Sequence, residues 1–138
     1  MDYIDERSPL GQRVQQISQL TGVSDFYITP HEPICYKQNG SLIIDQFVYV
    51  PDQPMQVEPG CVDYAMSFAG LRFRVNRMVT RGRFRWVLRL LPSKIPTPQD
   101  IAVPAAAMKA FMEAKNGLFL VCGATGSGKS TTIASMIL

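Results

Sequence analysis

An apolar run, Leu118 to Cys122, that feeds into Gly123-Ala-Thr-Gly-Ser-Gly-Lys-Ser130 and then into Thr-Thr-Ile-Ala-Ser-Met-Ile-Leu138 leaves few folds open to this chain. The middle segment meets G-x-x-x-x-G-K-[ST] at every fixed position, with a strand-like run before it and a helix-like run after it. Strand, loop, helix is the unit from which parallel α/β sheets are built, so the expected fold class is α/β. Glycines at 123, 126 and 128 let the backbone take positive φ and approach a ligand closely, so that successive N–H groups point into one concavity. The helix expected to start near Lys129 adds its unpaired N–H groups and the positive end of its dipole, which favours an anion. Lys129 brings a full positive charge to the outer phosphates of a nucleotide. Ser130 offers one hydroxyl to magnesium, an ion that keeps most of its water and takes few protein ligands. The loop therefore predicts binding of a magnesium nucleotide.

The net charge of +3 hides a second feature. Between Asp63 and Asp100 there is no acidic residue, yet the interval holds Arg72, Arg74, Arg77, Arg81, Arg83, Arg85, Arg89 and Lys94. Leu71 to Val79 and Arg83 to Leu91, joined by Thr80-Arg81-Gly82, read as a hairpin. Phe73 and Val75 alternate with Arg72 and Arg74; Phe84, Trp86, Leu88 and Leu90 alternate with Arg83, Arg85 and Arg89, Val87 being the one apolar member of the arginine face. Three readings compete for that face. It is a solvated sheet surface, or a nucleic-acid platform, or a set of side chains reaching the nucleotide. Crowded arginines repel one another without an anion or acidic partner, and the guanidinium fork suits bidentate phosphate contacts. Strand parity argues against nucleic acid: a stacking platform exposes aromatics beside its cations, whereas here they alternate to opposite faces. No direct nucleic-acid contact is expected. In the third reading, arginines stabilise the transferring phosphoryl group, an effect on the order of a thousandfold or more in rate.

The rest of the chain reads as one small mixed domain and a piece of another. With 138 residues, 46% of them hydrophobic, there is apolar material for about that much. Ser8-Pro9 starts a helix carrying Leu10, Val14, Ile17 and Leu20 at helical spacing. Ser24 to Thr29 suits a strand, Asn39-Gly40 between Ile34 to Gln38 and Ser41 to Ile44 a tight hairpin, Pro51 to Gly60 a loop, and Tyr64 to Phe68 a further strand. Four prolines in the thirteen residues 92–104 mark a linker. Ala105 to Lys115 suits a helix with Met108, Phe111 and Met112 on one side, stopped at Asn116-Gly117. The expected division is 1–91, linker 92–104, and 105–138. No apolar run reaches the length of a membrane span and the first residues are acidic, which predicts a cytosolic protein. Cys35, Cys61 and Cys122 are odd in number and widely spaced, so neither a disulfide framework nor a zinc site is expected, and Cys122 is read as a buried strand residue. His31, in a loop with no second histidine, is assigned no role.

Taken together, LRFRVN at 71–76, RG at 81–82, LRLLPSKIPTPQDI at 88–101 and GLFLVCGATGSGKSTTIASMI at 117–137 resemble the pilus retraction ATPases, within the wider secretion ATPase superfamily of type II, type IV pilus and type IV secretion systems. SDFYITP followed by NGSLI is similar to the amino-terminal domain of that family. The resemblance covers about residues 8 to 138 and implies a PAS-like α+β amino-terminal domain, a linker and a RecA-like P-loop ATPase domain. It implies a homo-hexamer that binds Mg-ATP and turns hydrolysis into interdomain motion, working with pilus or secretion platform proteins at the cytoplasmic face of the inner membrane. Gly123, Ala124, Thr125, Gly126, Ser127, Gly128, Lys129, Ser130 and Thr131 correspond to the nucleotide loop: Lys129 for the β and γ phosphates, Ser130 for magnesium, Thr131 near the α phosphate. Arg81 and Arg89 correspond to arginines that extend toward the γ phosphate. Their spacing is one residue off the retraction-type pattern, so Arg83 is the alternate for Arg81, with Arg72 and Arg74 behind it. Ala124 stands where proline is common, and the stretch between Ile44 and Phe68 is shorter than the family's helical insertion. The catalytic glutamate, the Walker B acid and the family's aspartate and histidine boxes would lie beyond Leu138, so the 138 residues alone are expected not to turn over ATP. The reading of a different class is a non-enzymatic module whose basic face docks an acidic partner or a neighbouring subunit.

Overall fold

Ser8 starts the first helix with its own side chain: its Oγ accepts the amide N–H of Gly11 at 3.0 Å, and Pro9 fills the first helical position, where a missing N–H costs nothing. Helix α1 runs over Pro9–Ser18 and buries Leu10, Val14 and Ile17, while Leu20, beyond its end, is exposed. The computed structural model describes residues 3–53 and 58–138. Within it follow β1 (Val23–Ile28), β2 (Pro33–Gln38), β3 (Ser41–Val48), β4 (Gly60–Phe68), β5 (Leu71–Thr80) and β6 (Arg83–Leu90).

These six strands form one sheet in the order β3-β2-β1-β6-β5-β4, every neighbouring pair antiparallel. Two consecutive meanders meet where β1 pairs with β6, and the chain passes from one edge strand to the other between Val48 and Gly60. Part of the loop expected over Pro51 to Gly60 lies outside the described residues; β4 begins at Gly60, four residues earlier than the sequence suggested. All three tight hairpins turn on two residues of positive φ: Asn39 and Gly40 at 50° and 81°, Ala69 and Gly70 at 51° and 73°, Arg81 and Gly82 at 52° and 72°. That geometry matches the right-handed twist of the strands, and it puts Thr80 into the ladder opposite Arg83 instead of into the turn.

One face of the sheet is core. Phe26 and Ile28 from β1, Ile34 and Tyr36 from β2, Met66 and Phe68 from β4, Phe73, Val75 and Val79 from β5, and Phe84, Trp86 and Leu88 from β6 join the buried residues of α1 in a single cluster. The alternation read from Leu71 to Leu91 therefore holds as a physical division of the sheet. Its other face carries Arg72, Arg74, Arg83, Arg85 and Arg89. Arg77 shares the parity of Phe73, Val75 and Val79, and is half-buried on the core side.

Helix α1 is fastened to β3 by charge as well as packing. Arg13 donates from Nε to Asp45 Oδ2 at 2.8 Å and from Nη2 to Oδ1 at 2.7 Å. Arg13 first, with the Phe47 amide assisting against burial, holds the Asp45 carboxyl below the usual carboxylate value. Asp45→Asn is expected to lower the stability of this sheet unit by about 1–2 kcal/mol at pH 7, the lower end of the range for a charged hydrogen bond because Arg13 is partly in water. A group whose folded pKa is depressed stabilises above its unfolded value, near 4, and loses that contribution as pH falls through the lower folded value. Urea unfolding of both proteins should thus show a gap that is full at pH 7 and closes below about pH 4.

Residues up to Ser93 form one compact unit and Lys94–Leu138 a second. In the second, Thr97 and Asp100 exchange hydrogen bonds, the Thr97 amide donating to Oδ2 at 2.9 Å and the Asp100 amide to Thr97 Oγ1 at 3.2 Å, which closes a turn ahead of α2 (Ala105–Glu113). Helix α2 ends two residues before the expected Lys115, with Ala114 extended. Met112 is exposed, and Phe111 meets Phe119 edge-on at 5.2 Å between ring centres. Helix α3 spans Lys129–Ile137. The strand expected over Leu118 to Cys122 is not formed: these residues are extended without ladder partners, Leu118 is 82% and Leu120 76% exposed, and Cys122 is exposed rather than buried. A parallel strand exists only as one member of a sheet, and no described residue offers this segment a neighbouring strand. Among the described residues no helix is long and apolar enough to cross a membrane.

Candidate functional site

The loop ahead of α3 takes its shape from three glycines. Gly126 and Gly128 sit at φ 78° and 95°, a region closed to most side chains, and Gly128 is the residue that caps α3. A Cβ at Gly123 would lie 2.6 Å from Ser127 Oγ, so the loop closes on itself only because position 123 has none. Ser127 fixes the closure, donating from its hydroxyl to Ala124 O at 2.6 Å and from its amide to the same oxygen at 3.1 Å. The turn is thus closed with alanine at position 124. No side chain caps the N-terminus of α3, which leaves its first-turn N–H groups open to an anion.

Lys129 folds back over this turn and donates from Nζ to Gly123 O at 2.8 Å and to Ala124 O at 2.7 Å. Two of its three N–H donors are so satisfied within the protein and the ammonium stays at the loop's mouth. Ser130 and Thr131 are exposed one and two residues further into the helix. A glycine turn closed at Gly123, an open helix N-terminus, a tethered ammonium and an exposed hydroxyl form a donor set that fits nucleotide phosphates with a bound magnesium.

The arginine face differs from its sequence reading. Eight cations without a nearby carboxylate was the expectation; the neighbouring strands supply two. Arg74 and Arg89 stand directly opposite each other on β5 and β6, a pairing of like charges that costs stability unless neutralised. Asp63 on β4 lies outboard of Arg74 and accepts from its Nε at 3.3 Å and Nη2 at 2.8 Å. Asp25 on β1 lies outboard of Arg89, pairs with it in register, and accepts from its Nε at 3.1 Å. Burial pushes the Asp25 carboxyl up, but the Ser24 hydroxyl, donating to Oδ2 at 2.7 Å, and Arg89 outweigh it and hold the group below its usual value. Arg85 is held by Thr29, Nε donating to Oγ1 at 3.2 Å. Among the described residues no carboxylate pairs with Arg72, Arg81, Arg83 or Arg85. Phe73, Phe84 and Trp86 are buried, so none of them is available as a stacking ring. Asp25 and Thr29 are partners that sequence reasoning missed because nothing local says that β1 lies beside β6; Asp63 was missed because β4 starts at Gly60, ahead of the expected Tyr64, and so carries Asp63 beside β5.

The family model described as Type II/IV secretion system protein matches residues 60–138, from β4 through the glycine loop to α3. The chain belongs to this family. Its mixed α/β fold has a solved counterpart: a crystal structure of the pilus retraction motor PilT with bound ADP superposes with a TM-score of 0.76 at 33% identity, covering 94% of this chain and 42% of that one. The type IV pilus ATPase PilU of Pseudomonas aeruginosa is 32% identical over 132 residues, 84% of this chain and 34% of that protein. YggR of Escherichia coli, described as an uncharacterized protein, is 42% identical over 82 residues, 59% of this chain and 25% of its own length. The chain thus spans a quarter to a third of the length of these curated relatives. The structural likeness, over 94% of this chain, also takes in α1 and β1 to β3, which precede the residues the family model matches.

Proposed function

We propose that these residues are the amino-terminal sheet domain, the linker over 92–104 and the nucleotide loop of a hexameric traffic ATPase that binds Mg-ATP and drives pilus retraction or secretion by interdomain motion. The observation that carries the reading is the loop: the Lys129 ammonium tethered over a glycine turn, directly ahead of an uncapped helix, in a chain of a family whose named relatives include ATPases. Gly123 to Thr131 wrap the phosphates through backbone N–H groups, Lys129 faces the β and γ phosphates, and Ser130 gives its hydroxyl to magnesium. A magnesium ion held there would supply neutralisation of the charge that develops on the phosphates. Arg81 and Arg89, with Arg83 as the alternate to Arg81, approach the γ phosphate and stabilise the transition state. Arg81 sits in the β5–β6 hairpin turn, where its φ of 52° is what a tight turn requires, as it is at Ala69 in the β4–β5 turn. The assembled ring works at the cytoplasmic face of the inner membrane with its pilus or secretion platform.

Hydrolysis needs a base for water and a second acid near magnesium, and the second unit holds two carboxylates, both engaged: Asp100 in the Thr97 turn and Glu113 facing Lys109 at 3.9 Å. The 138-residue polypeptide is therefore expected to bind Mg-ATP without multiple turnover. Steady-state phosphate release from purified material is the check, and repeated turnover would sink the reading. The alternative, a docking surface for a neighbouring subunit or acidic partner, rests on the uncompensated Arg72, Arg83 and Arg85. Charge reversal at Arg81 and Arg89 to Glu in the full-length protein separates the two. Lost hydrolysis with an intact ring supports chemistry, and unchanged hydrolysis per assembled ring with weakened assembly supports docking.

A further inference from the structure

We infer that Asp25 is a positioning residue for Arg89: it holds the guanidinium by Nε alone, so that both Nη groups stay free and aimed as a fork at an incoming phosphate. The inference rests on the reading of Arg89 as a phosphate-reaching arginine and adds to it the group that sets its geometry. A guanidinium has five N–H donors in a fixed plane, and which of them the protein consumes decides what remains for a ligand. Arg74 and Arg89 face each other across the same ladder position and are treated differently. Asp63 takes both Nε and Nη2 of Arg74, the side-on arrangement that uses the fork itself. Asp25 takes only Nε of Arg89, at 3.1 Å, and the Arg89 side chain remains 68% exposed.

Asp25 is built for that task. It is 8% exposed, its second oxygen is occupied by the Ser24 hydroxyl at 2.7 Å, and its backbone is locked between β2 and β6. A carboxylate so fixed cannot swing to chelate the fork. The same logic repeats four residues on, where Thr29 Oγ1 holds Arg85 by its Nε. A single tether of this kind restricts the side chain without competing for the two Nη groups, which is how a protein lowers the ordering cost of a bidentate contact.

Two measurements test this. On the 138-residue chain, the Arg89 Nε–H signal in ¹H–¹⁵N spectra is expected to be sharp and slow to exchange, to broaden in Asp25→Asn, and to recover in Asp25→Glu only in part. In the full-length protein, Asp25→Asn is expected to lower kcat about tenfold with KM for ATP changed less than twofold, as misplacement of a transition-state contact does. The same substitution made on Arg89→Ala should cost nothing further, because Asp25 acts through that arginine. An additive loss on the Arg89→Ala background, or an Nε–H signal indifferent to Asp25, overturns the inference and leaves Asp25 a structural residue. If Arg89→Ala itself leaves kcat unchanged, the reading of Arg89 fails and takes this inference with it. If Arg89→Ala lowers kcat and Asp25→Asn does not, only the inference about Asp25 falls.

Discussion

Lys129→Ala should weaken binding of Mg-ATP by about 10- to 100-fold and reduce hydrolysis by the full-length protein by about 100- to 1000-fold. The first figure follows from removing a charged hydrogen bond worth about 1.5–3 kcal/mol, each 1.4 kcal/mol being a factor of ten. The second is the usual cost of deleting a cationic clamp that works hardest as charge moves to the leaving oxygen. The loop also loses two internal bonds, because Lys129 Nζ bridges Gly123 O and Ala124 O. Lys129→Gln keeps a donor in reach of those carbonyls while removing the charge, so it separates the two contributions. Binding measured by calorimetry on the 138-residue chain should fall nearly as far in Lys129→Gln as in Lys129→Ala if charge dominates. Retention of wild-type affinity by Lys129→Gln would assign the effect to loop shape and contradict the proposed role.

What the sequence carried and what it did not divide along a physical line. Local signals were legible: the Ser8 cap, the Asn39-Gly40 turn, the glycine loop and the face assignment of Phe73 against Arg74 all depend on residues a few positions apart. The strand order was not, since β1 beside β6 is a pairing of Asp25 with a residue sixty-four positions away, and that pairing determines which arginine has a carboxylate. Counting charges along the chain made the arginines look uncompensated; folding brings Asp25 and Asp63 to the outer flanks of the Arg89–Arg74 row. The expected strand at Leu118 shows the converse. Its composition is right for a buried parallel strand, but composition is a statement about neighbours, and with none among the described residues the same side chains stand exposed. The nucleotide loop is less dependent on distant contacts because its closure is local, from Gly123 to Lys129, which is why its geometry is formed although the segment before it is not in a sheet.

Phe73→Ala should destabilise the sheet unit by about 3–5 kcal/mol, a large part of the stability of a domain of this size. Phe73 has no exposed surface, stacks on Phe68 at 5.1 Å and meets Phe26 edge-on at 6.1 Å between ring centres, so it joins β1, β4 and β5 at one point of the core. No neighbour can collapse into the space without giving up one of those contacts, and that places the expected cost at the upper part of the range for large-to-small changes. The consequence reaches the opposite face. Phe73 is flanked in sequence by Arg72 and Arg74, and β5 fixes the register that sets Arg74 against Arg89 and brings Asp63 beside it. Thermal unfolding followed through Trp86, the single tryptophan, reads the loss directly, since that ring lies in the same core. Phe73→Leu, which keeps most of the volume, should recover much of the stability. In the full-length protein at a temperature where Phe73→Ala is partly unfolded, hydrolysis should fall while nucleotide binding at Lys129 is preserved, because the loop belongs to the other compact unit. If binding fell in parallel with Trp86 unfolding, the two units would be one cooperative body and the arginine face could not be assigned a role separable from the loop.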